Sequence, residues 1–185
     1  PVRQAQYINL FKEQGSDAVY LPQHIDAAYI QHVEMKREDI QFRRIDTDLV
    51  EEVKEDGKDL KEEQEILEKL FREKLGLEDL KVKAENLKNS GVSAMLTLSE
   101  EGHRMEEMMK RFGMANSPYG DQGTLVLNVK HPLVQYLKDN KESEYAELIC
   151  RQLFDLAKLG NKPLTAEEMT EFLKRSNEVM LCLTK

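Results

Sequence analysis

The chain has no tryptophan, only two cysteines and five prolines, and nine glycines scattered among turns. Each scarcity excludes something. Cys150 and Cys182 sit far apart inside helical patterns, without ligand-like neighbours. They read as buried thiols of a reducing, cytoplasmic compartment, not as a disulfide framework or a metal site. The scattered glycines build no phosphate-cradling loop. No apolar run approaches the roughly 18 residues that a membrane span requires. The opening "PVRQAQYINLF" lacks the basic start and apolar core of a signal peptide. A cationic excess is missing too: 27 Lys and Arg stand against 35 Asp and Glu, a net charge of −8. Neither nucleic acid nor membrane is therefore an expected partner, since phosphate contacts need a basic face. His24, His32, His103 and His131 show no metal spacing, and no Ser-His-Asp or Cys-His signature is readable. The carboxylates lie in runs mixed with Lys and Arg, as on a solvated face. The segment is not expected to be an enzyme. It has no initiator Met and opens inside an amphipathic pattern, so a piece of a longer protein is expected.

What the chain does hold is a globular, helix-rich balance, 40% hydrophobic and 34% charged. "RQAQYINLFKEQG" carries Ala5, Ile8, Leu10 and Phe11 and stops at Gly15, a helix with a glycine end. "DAVYL" is a short apolar run between Gly15-Ser16 and Pro22, which predicts a buried strand. "HIDAAYIQHVEMK" returns to helical spacing, and "IQFRRID" reads as a second strand. Strand, helix and strand within about 30 residues predict a right-handed crossover with a parallel pair. Acid-dense sequence then runs from Asp46 to Glu65, and a domain boundary is placed there: residues 1–56 and residues 57–185.

The second part begins with an amphipathic helix through Leu67, Leu70, Phe71 and Leu75, with Glu65–Lys69 and Glu68–Arg72 in the favourable i,i+4 order. "LKVKA", "VSAMLTL" and "TLVLNV" read as three strands, with Asn89-Ser90-Gly91 turning the first into the second. "HPLVQYLKDN" starts a helix with Pro132 in its first turn. Two stronger helices close the chain. "SEYAELICRQLFDLAKLG" has a capping candidate at Ser143 and a seam through Tyr145, Leu148, Ile149, Leu153 and Leu156. In "PLTAEEMTEFLKRSNEVMLCL", Thr165 and Glu168 fit a capping box. Its stripe runs through Met169, Phe172, Leu173, Ser176, Val179, Met180 and Leu183. The short "GNKPL" connection predicts that the two helices lie antiparallel. The fold class is thus mixed α and β: a small βαβ-type subdomain, then a short three-stranded sheet with a C-terminal helix pair.

One stretch stands apart. Four of the eight methionines fall between Met105 and Met114. Met105, Met108, Met109 and Phe112 share one helical face. Core packing is the ordinary reading of such a stripe. Methionine is also flexible and polarizable, and suits a surface that repacks around different partners. The helix is short and ends at a glycine-containing loop, so exposure is expected.

The run "HRMEEMMKRFGM…TLVLNVKHPLVQYL", followed by two amphipathic helices, resembles the C-terminal domain of the heat-shock protein 90 chaperone family. "YINLFKEQGSDAVYLPQHIDAAYIQHV…FRRID" is similar to the last subdomain of that family's middle domain. "LNVKHPLV" is the most specific motif, although Val129 stands where members often carry proline. The ending "MLCLTK" lacks the acidic tail of eukaryotic cytosolic forms, which points to the bacterial, high-temperature protein G type or to a truncated chain. The resemblance implies a homodimeric, ATP-dependent chaperone whose ATP- and Mg-binding domain lies upstream, leaving no cofactor for this segment. It implies a four-helix bundle between protomers, with a dimer interface of Leu148, Ile149, Leu153, Leu156, Met169, Phe172, Leu173, Val179, Met180 and Leu183. It implies that Met105, Met108, Met109 and Phe112 meet unfolded client proteins. A monomeric structural domain and a small ligand-binding enzyme domain are the alternatives. The enzyme would need a glycine-rich turn after "DAVYL", where "PQHID" stands instead.

Overall fold

A computed structural model of the chain describes residues 4–13, 15–23, 25–45, 47, 60–89, 91–98, 102, 123–182 and 184. Among these, six helices accompany one small sheet: α1 Ala5–Glu13, α2 Asp26–Lys36, α3 Lys61–Leu75, β1 Lys81–Glu85, β2 Ala94–Thr97, β3 Thr124–Asn128, α4 Pro132–Asp139, α5 Ala146–Asn161 and α6 Ala166–Cys182. The mixed α and β class expected from the sequence is what the chain adopts.

The sheet order is β1-β3-β2. β1 pairs with β3 in parallel, Val82 opposite Leu125 and Ala84 opposite Leu127. β2 pairs with β3 antiparallel, Leu96 opposite Leu125. Period-2 alternation sorts the side chains to two faces. Val82, Ala84, Ala94, Leu96, Leu125 and Leu127 meet Leu67, Leu70 and Phe71 of α3, Val134 and Leu137 of α4, and Ala146, Cys150, Leu153 and Ala157 of α5 in the main core. The opposite face presents Met95 and Val126, which pack with Leu87, Val92, and Tyr7 and Leu10 of α1. The sheet is therefore covered on both sides, and every residue of β2 is buried. At the residue level, Tyr7 donates its hydroxyl to the Leu96 carbonyl at 2.6 Å.

Several local start and stop signals act as their chemistry demands; Ser143 does not, since α5 is capped at Tyr145 without a side-chain bond and Ser143 Oγ accepts from the Tyr145 N–H at 3.2 Å ahead of the helix. Gly15 and Gly76 adopt φ of 76° and 68°, the left-handed conformation that ends α1 and α3 at little steric cost. His131 caps α4, its Nδ1 accepting from the Leu133 N–H at 3.2 Å, with Pro132 in the first turn. Burial pushes the His131 imidazole below its ordinary pKa, which keeps that nitrogen available as an acceptor. Glu68 and Arg72 form the expected i,i+4 pair at 2.5 Å.

The N-terminal crossover is the correction. The strands expected at "DAVYL" and "IQFRRID" do not form; residues 17–22 and 40–44 join no ladder. Only α2 of the expected strand-helix-strand unit is present, and none of its residues is buried. Val19 is 78% exposed and Met35 is 84% exposed. An apolar run states a preference for burial. A strand exists only where a neighbour supplies the ladder, and the described residues offer none here.

Candidate functional site

The C-terminal helix hairpin carries apolar surface that its own core does not consume, as α2 and the run before it also do. α5 lies across the sheet on a stripe of Ala146, Cys150, Leu153 and Ala157, spaced four, three and four apart. Three of these are small, so the helix approaches the strands closely. Burial pushes the Cys150 thiol up to about 12, which makes it an inert packing group and not a nucleophile. The core stripe differs in phase from the bulky seam that the sequence displays. Leu148 and Ile149 are half-buried, and Leu156 is 46% exposed.

α6 packs on α5 and has no buried residue. Met169, Phe172, Arg175, Ser176 and Val179 are half-buried. Leu173, Met180 and Leu181 stand 55%, 56% and 60% exposed on the outer side. Leu173 and Met180 are seven residues apart and share a face.

The hairpin is pinned by polar contacts. Arg175 pairs with Asp155 and donates Nε to Gln152 Oε1 at 3.0 Å. Gln152 donates Nε2 to Ser176 Oγ at 3.1 Å, and Ser176 donates to the Phe172 carbonyl at 2.8 Å. The Arg175 guanidinium also stacks 5.9 Å from the Phe172 ring centroid. At the turn, Lys158 donates to Glu168 Oε1 at 2.6 Å. Glu168 Oε2 accepts from the Thr165 N–H at 2.9 Å, and Thr165 Oγ1 accepts from the Glu168 N–H at 3.3 Å, a complete capping box. The sequence made the box readable. The Arg175 network was not singled out, although Ser176 interrupting an apolar stripe was its available signal.

Of the ten residues assigned to a dimer interface, Leu153 is 1% exposed within the chain's own core, and Ile149 packs against that core. Leu156, Leu173 and Met180 are open to solvent. Leu148, Met169, Phe172 and Val179 are intermediate. Leu183 lies outside the described residues, as do Met105, Met108, Met109 and Phe112. Leu181 and the 38%-exposed Tyr145 add apolar surface that the assignment omitted.

A cleft of about 370 Å³ is lined by Ile66 and Leu70 beneath Glu65, Lys69, Glu73, Lys74, Lys141 and Glu142. Its charges alternate in sign on a solvated rim. Among the described residues no group of His, Cys, Asp and Glu could hold a metal ion, and no helix is long and apolar enough to cross a membrane.

A three-stranded sheet covered by helices and followed by a pinned helix hairpin defines a mixed α+β module. The family model described as "Hsp90 protein" matches residues 1–184, and the chain belongs to that family. It is similar to the chaperone protein HtpG of Treponema denticola, 28% identical over 186 residues that cover 97% of this chain and 29% of that protein. It is also similar to the chaperone protein HtpG of Bacteroides fragilis, 34% identical over 77% of this chain and 22% of that protein. A third relative, from Porphyromonas gingivalis, is 29% identical over 95% of this chain and 29% of its own length. The chain thus spans less than a third of each of these relatives.

Proposed function

We propose that the chain is the dimerization and client-contact part of a heat-shock protein 90 chaperone. The observation that carries the reading is α6: a 17-residue amphipathic helix with no buried residue and with Leu173, Met180 and Leu181 more than half exposed. Fully burying a large apolar side chain contributes about 1.5–3 kcal/mol. A few such residues per protomer, contributed twice in a symmetric contact, can hold a dimer. The helix hairpin of one protomer would pack on its mate as a four-helix bundle, through Leu156, Phe172, Leu173, Val179, Met180 and Leu181. Leu153 is left to the internal core. Leu173→Glu should give a folded monomer by light scattering, with unchanged helix content. A variant that stays dimeric places the interface elsewhere, and a wild-type monomer favours the purely structural alternative.

The segment Met105–Phe112 is proposed as the client surface, on its methionine composition. Met108→Asp with Met109→Asp should keep the melting temperature within a few degrees and abolish suppression of client aggregation by the full-length protein. If the stripe is core, two buried charges should instead unfold the domain. The domain division at residues 56 and 57, the reducing cytoplasm as compartment, and the placement of ATP and Mg chemistry upstream of Pro1 belong to the same proposal.

A further inference from the structure

β1 is an edge strand, because the sheet order is β1-β3-β2. An edge normally leaves a row of backbone N–H and C=O groups open to any extended chain. The Glu85 carbonyl faces β3, accepting from the Val129 N–H at 3.0 Å. The alternate residues Leu80, Val82 and Ala84 therefore turn their backbone groups outward. Side chains of α3 meet them there. Gln64 donates its side-chain amide to the Val82 carbonyl, and its Oε1 accepts from the Ala84 N–H at 2.7 Å. Arg72, two turns further along α3, donates Nε to the Leu80 carbonyl at 2.9 Å.

A residue in a parallel neighbouring strand would make the same pair of bonds as Gln64. Its N–H would reach one carbonyl, and its C=O would receive the N–H two residues further on. The Gln64 carboxamide thus occupies the seat of one residue's N–H and C=O in a parallel fourth strand. The far edge is treated alike: the Leu96 carbonyl of β2 accepts from the Tyr7 hydroxyl at 2.6 Å and from Asn161 Nδ2 at 3.3 Å. Exposed Lys81 and Lys83 flank the β1 edge, a further deterrent to strand addition.

We propose that Gln64, assisted by Arg72, is a strand mimic that closes the β1 edge to an extended polypeptide running parallel to it. The excluded occupant is a segment of the β3 type, because β1 already accepts β3 in parallel across its other side. Extended apolar segments of that type abound in unfolded proteins, so the closure keeps the sheet from annealing to them. The proposal stands on these hydrogen bonds and does not depend on the dimer.

The test uses Gln64→Leu, which keeps the side-chain bulk and removes the amide. The probe is a fluorescent peptide of residues 123–130, GTLVLNVK. Hydrogen exchange at the Ala84 N–H should accelerate in the variant, and the variant should bind the peptide at least about tenfold more tightly than wild type by anisotropy. Unchanged exchange at Ala84, or accelerated exchange without tighter binding, overturns the proposal. Gln64→Glu is the second variant should the first not fold. It keeps the acceptor for Ala84 but cannot donate to Val82, so it should show a smaller gain in peptide affinity, and affinity equal to wild type overturns the proposal.

Discussion

Asn128 shows how much one residue can organise. It is fully buried at the end of β3. Its Nδ2 donates to the Asn89 carbonyl at 3.0 Å and to the Val92 carbonyl at 2.8 Å. Its Oδ1 accepts from the Leu87 N–H at 3.3 Å and the Lys130 N–H at 3.2 Å. One carboxamide thereby ties the exit of β1, the entry to β2 and the turn into α4. Asn128→Leu keeps the branched shape but adds bulk and strands several buried backbone groups, and should cost about 3 kcal/mol in urea unfolding. Asn128→Asp keeps the acceptors but turns a carboxylate toward two carbonyls, and should also destabilise. Asn128 lies in the motif that carries the family resemblance, yet three of its four partners come from 36, 39 and 41 residues away. Spacing along the chain could not reveal them.

At the scale of elements, helix ends were readable and strand partners were not. The capping box at Thr165 and Glu168 is local chemistry, and the hydrogen bonds appear as the pattern requires. Tertiary structure gave Glu168 a second task, holding Lys158, whose side chain is 7% exposed. Glu168→Ala removes both roles and should destabilise by about 2–3 kcal/mol in chemical denaturation. Glu168→Gln, still a competent capping residue, should lose less. The stripe on α5 shows the limit of periodicity. A helix apolar on more than one face can turn either face inward, and the small residues Ala146, Cys150 and Ala157 won because they let the helix sit close to the strands. The bulkier Leu156 was left outward.

At the scale of the whole molecule, the described residues form a sheet covered on both faces, α1 on one and α3 to α5 on the other. α6 is added outside that sandwich. The proposed function leaves nucleotide chemistry to residues outside this segment. Isothermal titration of ATP into the chain should therefore give no saturable heat. Saturable binding would place nucleotide chemistry in this segment and overturn that part of the proposal.

Local physics determined what could be read directly: six helices, the glycine end at Gly15, Pro132 in the first turn of α4, the Thr165–Glu168 capping box, the three strands of the sheet, and family membership through "LNVKHPLV" and its surroundings. Each depends on side chains within a turn or two of one another, or on alternation within one strand. Tertiary structure alone decided the strand order with its parallel β1–β3 pair, the docking of α1 through Tyr7 onto the back of the sheet, and the bonding of Gln64 along the β1 edge. It also decided that Val19 and Tyr20, apolar enough to read as a buried strand, remain in solvent. These outcomes depend on which distant backbone stands beside a group. Hydrophobicity sets only how strongly a segment seeks cover, and the cover itself comes from residues far away in the chain.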